Sequence, residues 1–247
     1  MTVLSVNVNK IALLRNSRGR DYPNVVDFVK QIIAMGVKGI TVHPRPDERH
    51  VTRQDVHDIS RLLQDFPDVE FNIEGYPSPD LLELVLSAGP AQCTLVPDKP
   101  GQLTSDHGWD IAANLELLRS VLGDLRTAGI RSSLFLDPSV TAVELVPTVA
   151  ADRIELYTED YANQYGTVEQ EQSLSNYRAA AARALELDIG INAGHDLNLQ
   201  NLATFLETPG IQEVSIGHAL VVESLQQGLS MVIAQYLSIT ELSAIGN

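Results

Sequence analysis

The sequence predicts a single (β/α)8 barrel, a TIM barrel, spanning residues 1–247. Short runs rich in Val, Ile, Leu and Phe alternate with longer segments of helical periodicity, and eight such units are recognisable. Crossovers of this length make consecutive strands parallel. Eight parallel units in a chain of this length fit a closed barrel. Since no linker rich in Pro, Gly or Ser divides the chain, we expect one domain.

The predicted strands are short apolar runs bounded by Gly, Pro, Asn and Asp. In chain order they are Leu4–Asn9, Gly39–His43, Glu70–Glu74, Gln92–Pro97, Ser132–Asp137, Arg153–Thr158, Asp188–Ala193 and Glu213–Gly217.

Four helices between these strands are predicted with definite bounds. Asn24–Met35 has apolar residues at mixed three and four spacing, and Asp80–Ala88 follows the capping sequence Ser-Pro-Asp at 78–80. Asp110–Ala128 repeats Leu at helical spacing, and Val168–Leu187 is rich in Ala, the strongest helix former. The rival architecture is a doubly wound open sheet. No G-x-G-x-x-G follows the first strand, which disfavours its dinucleotide-binding form.

Composition limits the possible partners. The formal net charge is −15, and an acidic chain repels nucleic acid and anionic membranes unless it carries a local basic patch. Basic residues do cluster near positions 10–20 and 45–50, as either a solvated face or an anion site. The single cysteine, Cys93, suits a reducing cytoplasm. No secretory signal and no membrane-spanning run is apparent, so we expect a cytoplasmic protein.

Chemically versatile residues collect at the carboxyl ends of the predicted strands, where TIM barrels place their active sites. His43, His195 and His218 lie at strand ends, and Glu74 ends the third strand. Histidine transfers protons near neutral pH, and burial can raise the pKa of Glu74. The alternative for each is a satisfied structural residue, and for Glu155 we favour that structural role.

Other readings of this rim stay open. Gly194 and Gly217 fall where barrels bind phosphate, or serve as turn glycines. The histidines could hold a metal, but no H-x-H or H-E-x-x-H spacing occurs, and we predict none. Lys10 or Lys99 could form a Schiff base, as in barrel aldolases.

Six segments, in order and at compatible spacing, resemble the pyridoxine 5'-phosphate synthase family. They are residues 7–19 (NVNKIALLRNSRG), 39–50 (GITVHPRPDERH), 71–74 (FNIE), 95–97 (LVP), 192–195 (NAGH) and 215–219 (SIGHA). The resemblance runs nearly end to end. It implies condensation of 1-deoxy-D-xylulose 5-phosphate with 3-amino-2-oxopropyl phosphate to pyridoxine 5'-phosphate, phosphate and water, without metal or organic cofactor.

The resemblance also implies residue roles. His43 and Glu74 would accept protons and His195 would donate one. The aminoketone phosphate would be held by Asn7, Arg18, Asp196, Gly217 and His218. The deoxyxylulose phosphate would be held by Asn9, Lys10, Arg45, His50 and Thr104. Arg18 would reach a neighbouring subunit's site in a homo-oligomer, typically an octamer, and residues 98–109 would form a loop that covers the substrate.

Four positions depart from the family pattern. Its best-known members carry Asp-His at Asn9-Lys10 and Thr at Leu13, and some carry glycine at Asp196. We therefore expect Lys10 to bind phosphate or a substrate hydroxyl and not to act as a base, and Asp196 to bind through its backbone. The rival functions are another barrel enzyme acting on phosphorylated sugars, such as an epimerase or lysine-dependent aldolase, and a catalytically silent sensor of a phosphorylated metabolite.

Overall fold

The predicted closed barrel is confirmed in a computed structural model, which describes residues 2–98, 102 and 105–242. All neighbouring strands pair in parallel, and the last strand pairs with the first. Each predicted strand has an observed counterpart. The strands are β1 Val3–Asn7, β2 Gly39–Val42, β3 Glu70–Gly75, β4 Gln92–Leu95, β5 Arg131–Leu136, β6 Arg153–Tyr157, β7 Gly190–Gly194 and β8 Ile211–Ile216.

Helices follow the strands and surround the barrel. Asn24, Ser78 and Ser139 each accept a hydrogen bond from a backbone N–H in the first turn of the helix they precede, and Thr52 forms a capping box with Asp55. The helices are α1 Asn9–Asn16, α2 Val25–Ala34, α3 Arg53–Leu63, α4 Pro79–Ala88, α5 Leu115–Thr127, α6 Val140–Val149, α7 Glu159–Gln164, α8 Gln170–Glu186, α9 Leu202–Phe205, α10 His218–Gln227 and α11 Leu229–Leu242. No helix among the described residues is long and apolar enough to cross a membrane.

The end of the first strand was predicted wrongly. The prediction ran to Asn9, but β1 ends at Asn7 and Asn9 begins α1. The Asn7 side chain accepts a hydrogen bond from the backbone N–H of Asn9 at 3.0 Å, which turns the chain out of the sheet. Asn9 and Lys10 therefore lie in the first turn of a helix.

The core and the barrel interior differ in chemistry. The outward faces of the strands carry buried apolar residues such as Ile40, Ile73 and Ile154. The interior carries polar residues: Ser5 hydrogen bonds Thr41 across 2.7 Å, and Asn192 donates to Gln92 across the barrel at 3.2 Å. TIM barrels usually fill these layers with branched apolar side chains. Here the interior can surround carboxyl groups with hydrogen-bonding partners.

Candidate active site

A cavity of about 450 Å³ opens at the carboxyl ends of the strands. Its lining includes eleven of the thirteen predicted site residues. These are Asn7, Asn9, Lys10, His43, Arg45, His50, Glu74, His195, Asp196, Gly217 and His218. Thr104 lies outside the described residues. Arg18 is exposed and does not line this cavity.

A buried histidine and a buried glutamate form the centre of the cavity. His43 directly follows β2, and Glu74 belongs to the neighbouring strand β3. His43 Nδ1 lies 3.7 Å from Glu74 Oε2, and Asn7 Nδ2 donates to the same oxygen at 3.5 Å. The backbone N–H of His43 donates to Asn9 Oδ1 at 2.9 Å. The β1–α1 turn therefore positions both members of the pair.

Burial favours the neutral form of each member. The pKa of Glu74 is raised well above its ordinary value, first by burial and then by the nearby carboxyl groups of Glu155 and Glu213. The pKa of His43 is lowered well below 6.5, first by burial and then by the charge of Arg45. Both shifts favour the neutral forms, so the imidazole can accept a proton and the carboxyl group holds one more readily than an exposed glutamate does.

A second acid lies on the other side of His43. Asp98 Oδ2 lies 3.8 Å from His43 Nε2, pairs with Arg45, and accepts a hydrogen bond from Ser105 Oγ at 2.8 Å. Neither Asp98 nor Ser105 was singled out as a site residue by the sequence. The Asp98 carboxylate thus holds the guanidinium of Arg45, which lines the cavity.

Arg45 and His50 supply cationic or hydrogen-bonding groups on the β2 side. Arg45 Nε and His50 Nδ1 are buried and have no hydrogen-bond partner among the described residues. Burial, followed by Arg49 and Arg45, lowers the pKa of His50 to about 4. A neutral His50 beside a charged Arg45 suits the oxygen atoms of a phosphorylated ligand.

The β7 end presents His195 in a constrained backbone. His195 and Asp196 have φ values of 90° and 58°, in the left-handed region that non-glycine residues rarely adopt. Thr158 Oγ1 donates to the carbonyl oxygens of Gly194 and His195, which holds this conformation. His195 Nδ1 lies 3.0 Å from Asp196 Oδ2, and this contact lowers the pKa of Asp196.

The corner predicted to bind an anion corresponds to the end of β8 and the start of α10. Helix α10 begins at His218, directly after Gly217, and both residues line the cavity. The backbone N–H groups at a helix N-terminus attract anions. A Cβ atom at position 217 would lie 3.1 Å from Asn7 Cβ, so a side chain there would crowd the corner. The helix N-terminus and the space at Gly217 fit the predicted phosphate site, and the ligand itself stays a prediction.

The sequence favoured a structural role for Glu155 and left open whether its side chain faces the barrel interior. It is buried, lines the cavity, and its carboxylate lies so close to Gly194 that a Cβ there would come within 2.4 Å of Oε1. Burial, followed by Glu213, raises the pKa of Glu155 to about 8. Glu155 can therefore hold a proton inside the cavity, in addition to Glu74.

Two alternative chemistries were left open by the sequence, a metal site and a Schiff-base lysine. Glu159, His195 and Asp196 bring possible metal-ligating atoms within 4.8 Å of one another, so the described residues include one group that could hold a metal ion. Lys10 lines the cavity from the first turn of α1, not from inside a strand. Lys99 lies outside the described residues.

The chain is similar to known proteins along nearly its whole length. The family model described as "Pyridoxal phosphate biosynthesis protein PdxJ" matches residues 4–241. A Bacteroides thetaiotaomicron protein named pyridoxine 5'-phosphate synthase is 52% identical over 237 residues, covering 96% of this chain and 98% of that protein. A Bacteroides fragilis protein of the same name is 49% identical, with the same coverage.

Solved structures of other families share the fold at low identity. Thiamine phosphate pyrophosphorylase from Pyrococcus furiosus has a TM-score of 0.63 at 12% identity, covering 98% of this chain and 96% of that chain. Phosphoribosylanthranilate isomerase from Thermotoga maritima has a TM-score of 0.58 at 11% identity, covering 98% and 99%. These likenesses support the barrel architecture alone, whereas the family match and the close relatives establish membership: the chain belongs to the PdxJ family of pyridoxal phosphate biosynthesis proteins.

Proposed function

We propose that this protein is a pyridoxine 5'-phosphate synthase. It condenses 1-deoxy-D-xylulose 5-phosphate with 3-amino-2-oxopropyl phosphate and releases pyridoxine 5'-phosphate, phosphate and water. The observation that carries the proposal is the buried His43–Glu74 pair, 3.7 Å apart, in a cavity that also contains an anion-binding corner. Close relatives of nearly the same length bear the name of this enzyme.

The proposed reaction needs several proton transfers in one place. The substrate amine forms an imine with the deoxyxylulose ketone and releases water, and the deoxyxylulose part loses its phosphate. A carbon–carbon bond to the carbonyl of the aminoketone closes the ring, and the net loss is one phosphate and two waters. His43 is neutral and acts as the first acceptor. Glu74 is the second acceptor, and its raised pKa makes its carboxylate a stronger base than an exposed glutamate. His195 donates to a leaving oxygen from the β7 side.

The two substrates occupy opposite sides of the cavity. We place the aminoketone phosphate at the α10 N-terminus, against Gly217 and His218, with Asn7 and the Asp196 backbone beside it. The deoxyxylulose phosphate takes the β2 side, against Arg45 and His50. Their buried atoms without partners, together with Lys10, support this assignment. Asn9 uses Oδ1 to hold His43 and has its amide NH₂ left for a substrate hydroxyl.

The proposal includes a homo-oligomer, on the family's pattern an octamer. Arg18 is exposed and outside the cavity of its own chain. A phosphate-binding role for Arg18 therefore requires the site of a neighbouring subunit. Substrates of central metabolism and a fully buried Cys93 thiol fit the cytoplasm as the compartment.

The test uses purified, EDTA-treated protein with both substrates and follows pyridoxine 5'-phosphate by absorbance. We expect product from the wild type. We expect a loss of at least about 100-fold in kcat for Glu74→Gln, the range of general acid–base catalysis. Asp65→Asn, an exposed acid beyond α3, is the control and should keep full activity.

Two outcomes would overturn this assignment. Binding of each substrate without product would favour a sensor. A borohydride-trapped adduct between the protein and a substrate would favour a lysine-dependent aldolase.

A further inference from the structure

Glu159 is an acidic residue of the cavity that neither the sequence motifs nor the proposed mechanism uses. It is the first residue of α7, directly after the end of β6, and it is half-buried. Its carboxylate lies within 4.8 Å of both a ring nitrogen of His195 and a carboxylate oxygen of Asp196. Glu159 therefore faces the same space as the proposed proton donor.

The other acids of the cavity region have partners. Asp98 pairs with Arg45, and Asp196 contacts His195. Glu74 accepts a hydrogen bond from Asn7, and Glu155 accepts one from Thr94. The Glu159 carboxylate makes no hydrogen bond or ion pair with any residue that the structure describes. A carboxylate that lines a binding cavity in this way is available to a cationic group of a ligand.

One of the two proposed substrates carries such a group. The aminoketone has a phosphate at one end and an amine next to a carbonyl at the other. An amine in that position resembles an α-amino group, whose pKa is about 8, so the ammonium form prevails at neutral pH. The other substrate has hydroxyl groups and no amine, so a carboxylate can tell the two apart.

The strand order places Glu159 on the correct side. The anion-binding corner lies at β8, His195 and Asp196 end β7, and Glu159 follows β6. Asp196 also lies close enough to His218 and Lys10 for their charges to lower its pKa. A short ligand with its phosphate at β8 can thus extend across β7 toward β6.

We propose that Glu159 is a specificity-determining residue that binds the ammonium group of the aminoketone substrate. This role deepens the proposed function and depends on it. Glu159 selects and orients the amine end, while the α10 N-terminus binds the phosphate end. Its loss should weaken binding of the aminoketone and leave the chemistry of a bound substrate largely intact.

The test is calorimetric binding of two ligands, in EDTA, to wild type, Glu159→Gln and Asp160→Asn. The ligands are 3-amino-2-oxopropyl phosphate and 3-hydroxy-2-oxopropyl phosphate, which replaces the amine with a hydroxyl. Asp160 is the matched control, because it is the next acid of the same helix turn but is exposed and outside the cavity. For Glu159→Gln we expect about 10-fold weaker binding of the amine ligand, as for a lost charge-assisted hydrogen bond. Binding of the hydroxyl analogue should change by less than about twofold, and Asp160→Asn should bind both ligands like the wild type.

An equal loss for both ligands would overturn the role, since it would indicate a structural defect or a general change of charge. No loss for the amine ligand would overturn it as well, as would a loss that appears only when a divalent metal replaces EDTA. In steady-state assays the variant should raise KM for the aminoketone with kcat nearly unchanged. Failure of the wild type to make product would sink the synthase assignment separately, because the binding comparison does not require turnover.

Discussion

Glu155 carries a carboxyl group whose ionisation should be visible in the pH dependence of the reaction. Burial and Glu213 raise its pKa to about 8, against the smaller opposing effect of a hydrogen bond from Thr94. Above that pH Glu155 carries a negative charge, and this charge raises the pKa of Glu74 further. We expect kcat/KM of the wild type to fall as pH rises through about 8, while Glu155→Gln, which stays neutral, lacks this limb.

The measurement is kcat/KM from about pH 6 to pH 10 for both proteins, compared by the shape of the profile. His43 does not produce an acid limb near 6.5, because its pKa is lowered well below that value. An alkaline limb with the same midpoint in both proteins would assign the ionisation to another group.

Single residues show what the sequence could predict. His43, Glu74 and His195 were identified because strand ends converge in a barrel, and all three line one cavity. The structural role predicted for Glu155 stays a prediction, whereas its place in the cavity lining is now observed. Alternation within β6 was the available signal: Ile154 and Leu156 are apolar and pack outward, which leaves Glu155 to the interior.

At the scale of elements, a buried ion pair joins α1 to α3. Arg15 Nη2 donates to Asp55 Oδ2 at 2.8 Å and to the His50 carbonyl at 3.3 Å, and both side chains are about one-tenth exposed. The Asn16 amide donates to the same carbonyl at 2.8 Å. The pair therefore fixes the β2–α3 loop that carries Arg45 and His50.

We expect Asp55→Asn to lower the free energy of unfolding by about 3 kcal/mol, since it leaves Arg15 without its charge partner. Burial is the largest single influence on the pKa of Asp55 and would raise it. Hydrogen bonds from Arg15 and Thr52 together outweigh burial, so the pKa is lowered. Its contribution to stability is present above the unfolded pKa of about 3.9 and is lost as pH falls through the folded value. The wild-type and variant curves should therefore converge in acid.

Urea unfolding at about pH 7 and pH 3 measures both effects. Asp58→Asn is the control on the same helix, because Asp58 forms an exposed pair with Arg61 at 3.1 Å. It should cost less than about 1 kcal/mol. An equal loss of unfolding free energy for the two variants would show that the Arg15–Asp55 pair stabilises the fold no more than an exposed ion pair does.

Elements were predicted best where capping residues are explicit. The bounds of α2 and α4 were nearly right, since Asn24 and Ser78 cap them through side-chain hydrogen bonds. Helix α1 was missed and its first residues were assigned to a strand. The cause is the turn at Asn7. The sequence alone did not show that the Asn7 side chain would accept a hydrogen bond from the backbone and end the strand there.

Over the whole molecule, the polar interior explains why the site favours neutral acids. Glu74, Glu155 and Glu213 are all buried, and burial is the largest cause of the raised pKa of each. The charge of Glu213 adds to the shifts of Glu74 and Glu155, and the charge of Glu155 adds to that of Glu74. Apolar interior layers would give these groups no hydrogen-bonding partners. The eightfold alternation of strands and helices predicted the barrel, but not this interior, because the usual TIM-barrel pattern is apolar.

We expect Arg18 to connect the site of one subunit to its neighbour in an oligomer. If its guanidinium completes the site of a neighbouring subunit, Arg18→Ala subunits have intact acid–base groups but receive no arginine from each other. Glu74→Gln subunits have the opposite defect. Co-expression of the two should form hybrid sites in which an Arg18→Ala chain supplies Glu74 and its neighbour supplies Arg18. We therefore expect mixed oligomers, isolated by two affinity tags, to regain activity well above either parent.

The matched control combines Arg18→Ala subunits with subunits that carry both substitutions, a mixture in which no chain supplies the arginine. It should stay as inactive as its parents. Light scattering should show the same assembly size for all preparations, so that any gain comes from shared sites and not from altered association. Absence of recovery in genuine mixed oligomers would place Arg18 outside the neighbouring site, and a monomeric wild type would contradict the shared-site arrangement altogether. Recovery would mean that the cavity seen in one chain becomes a complete active site only when a second subunit contributes to it.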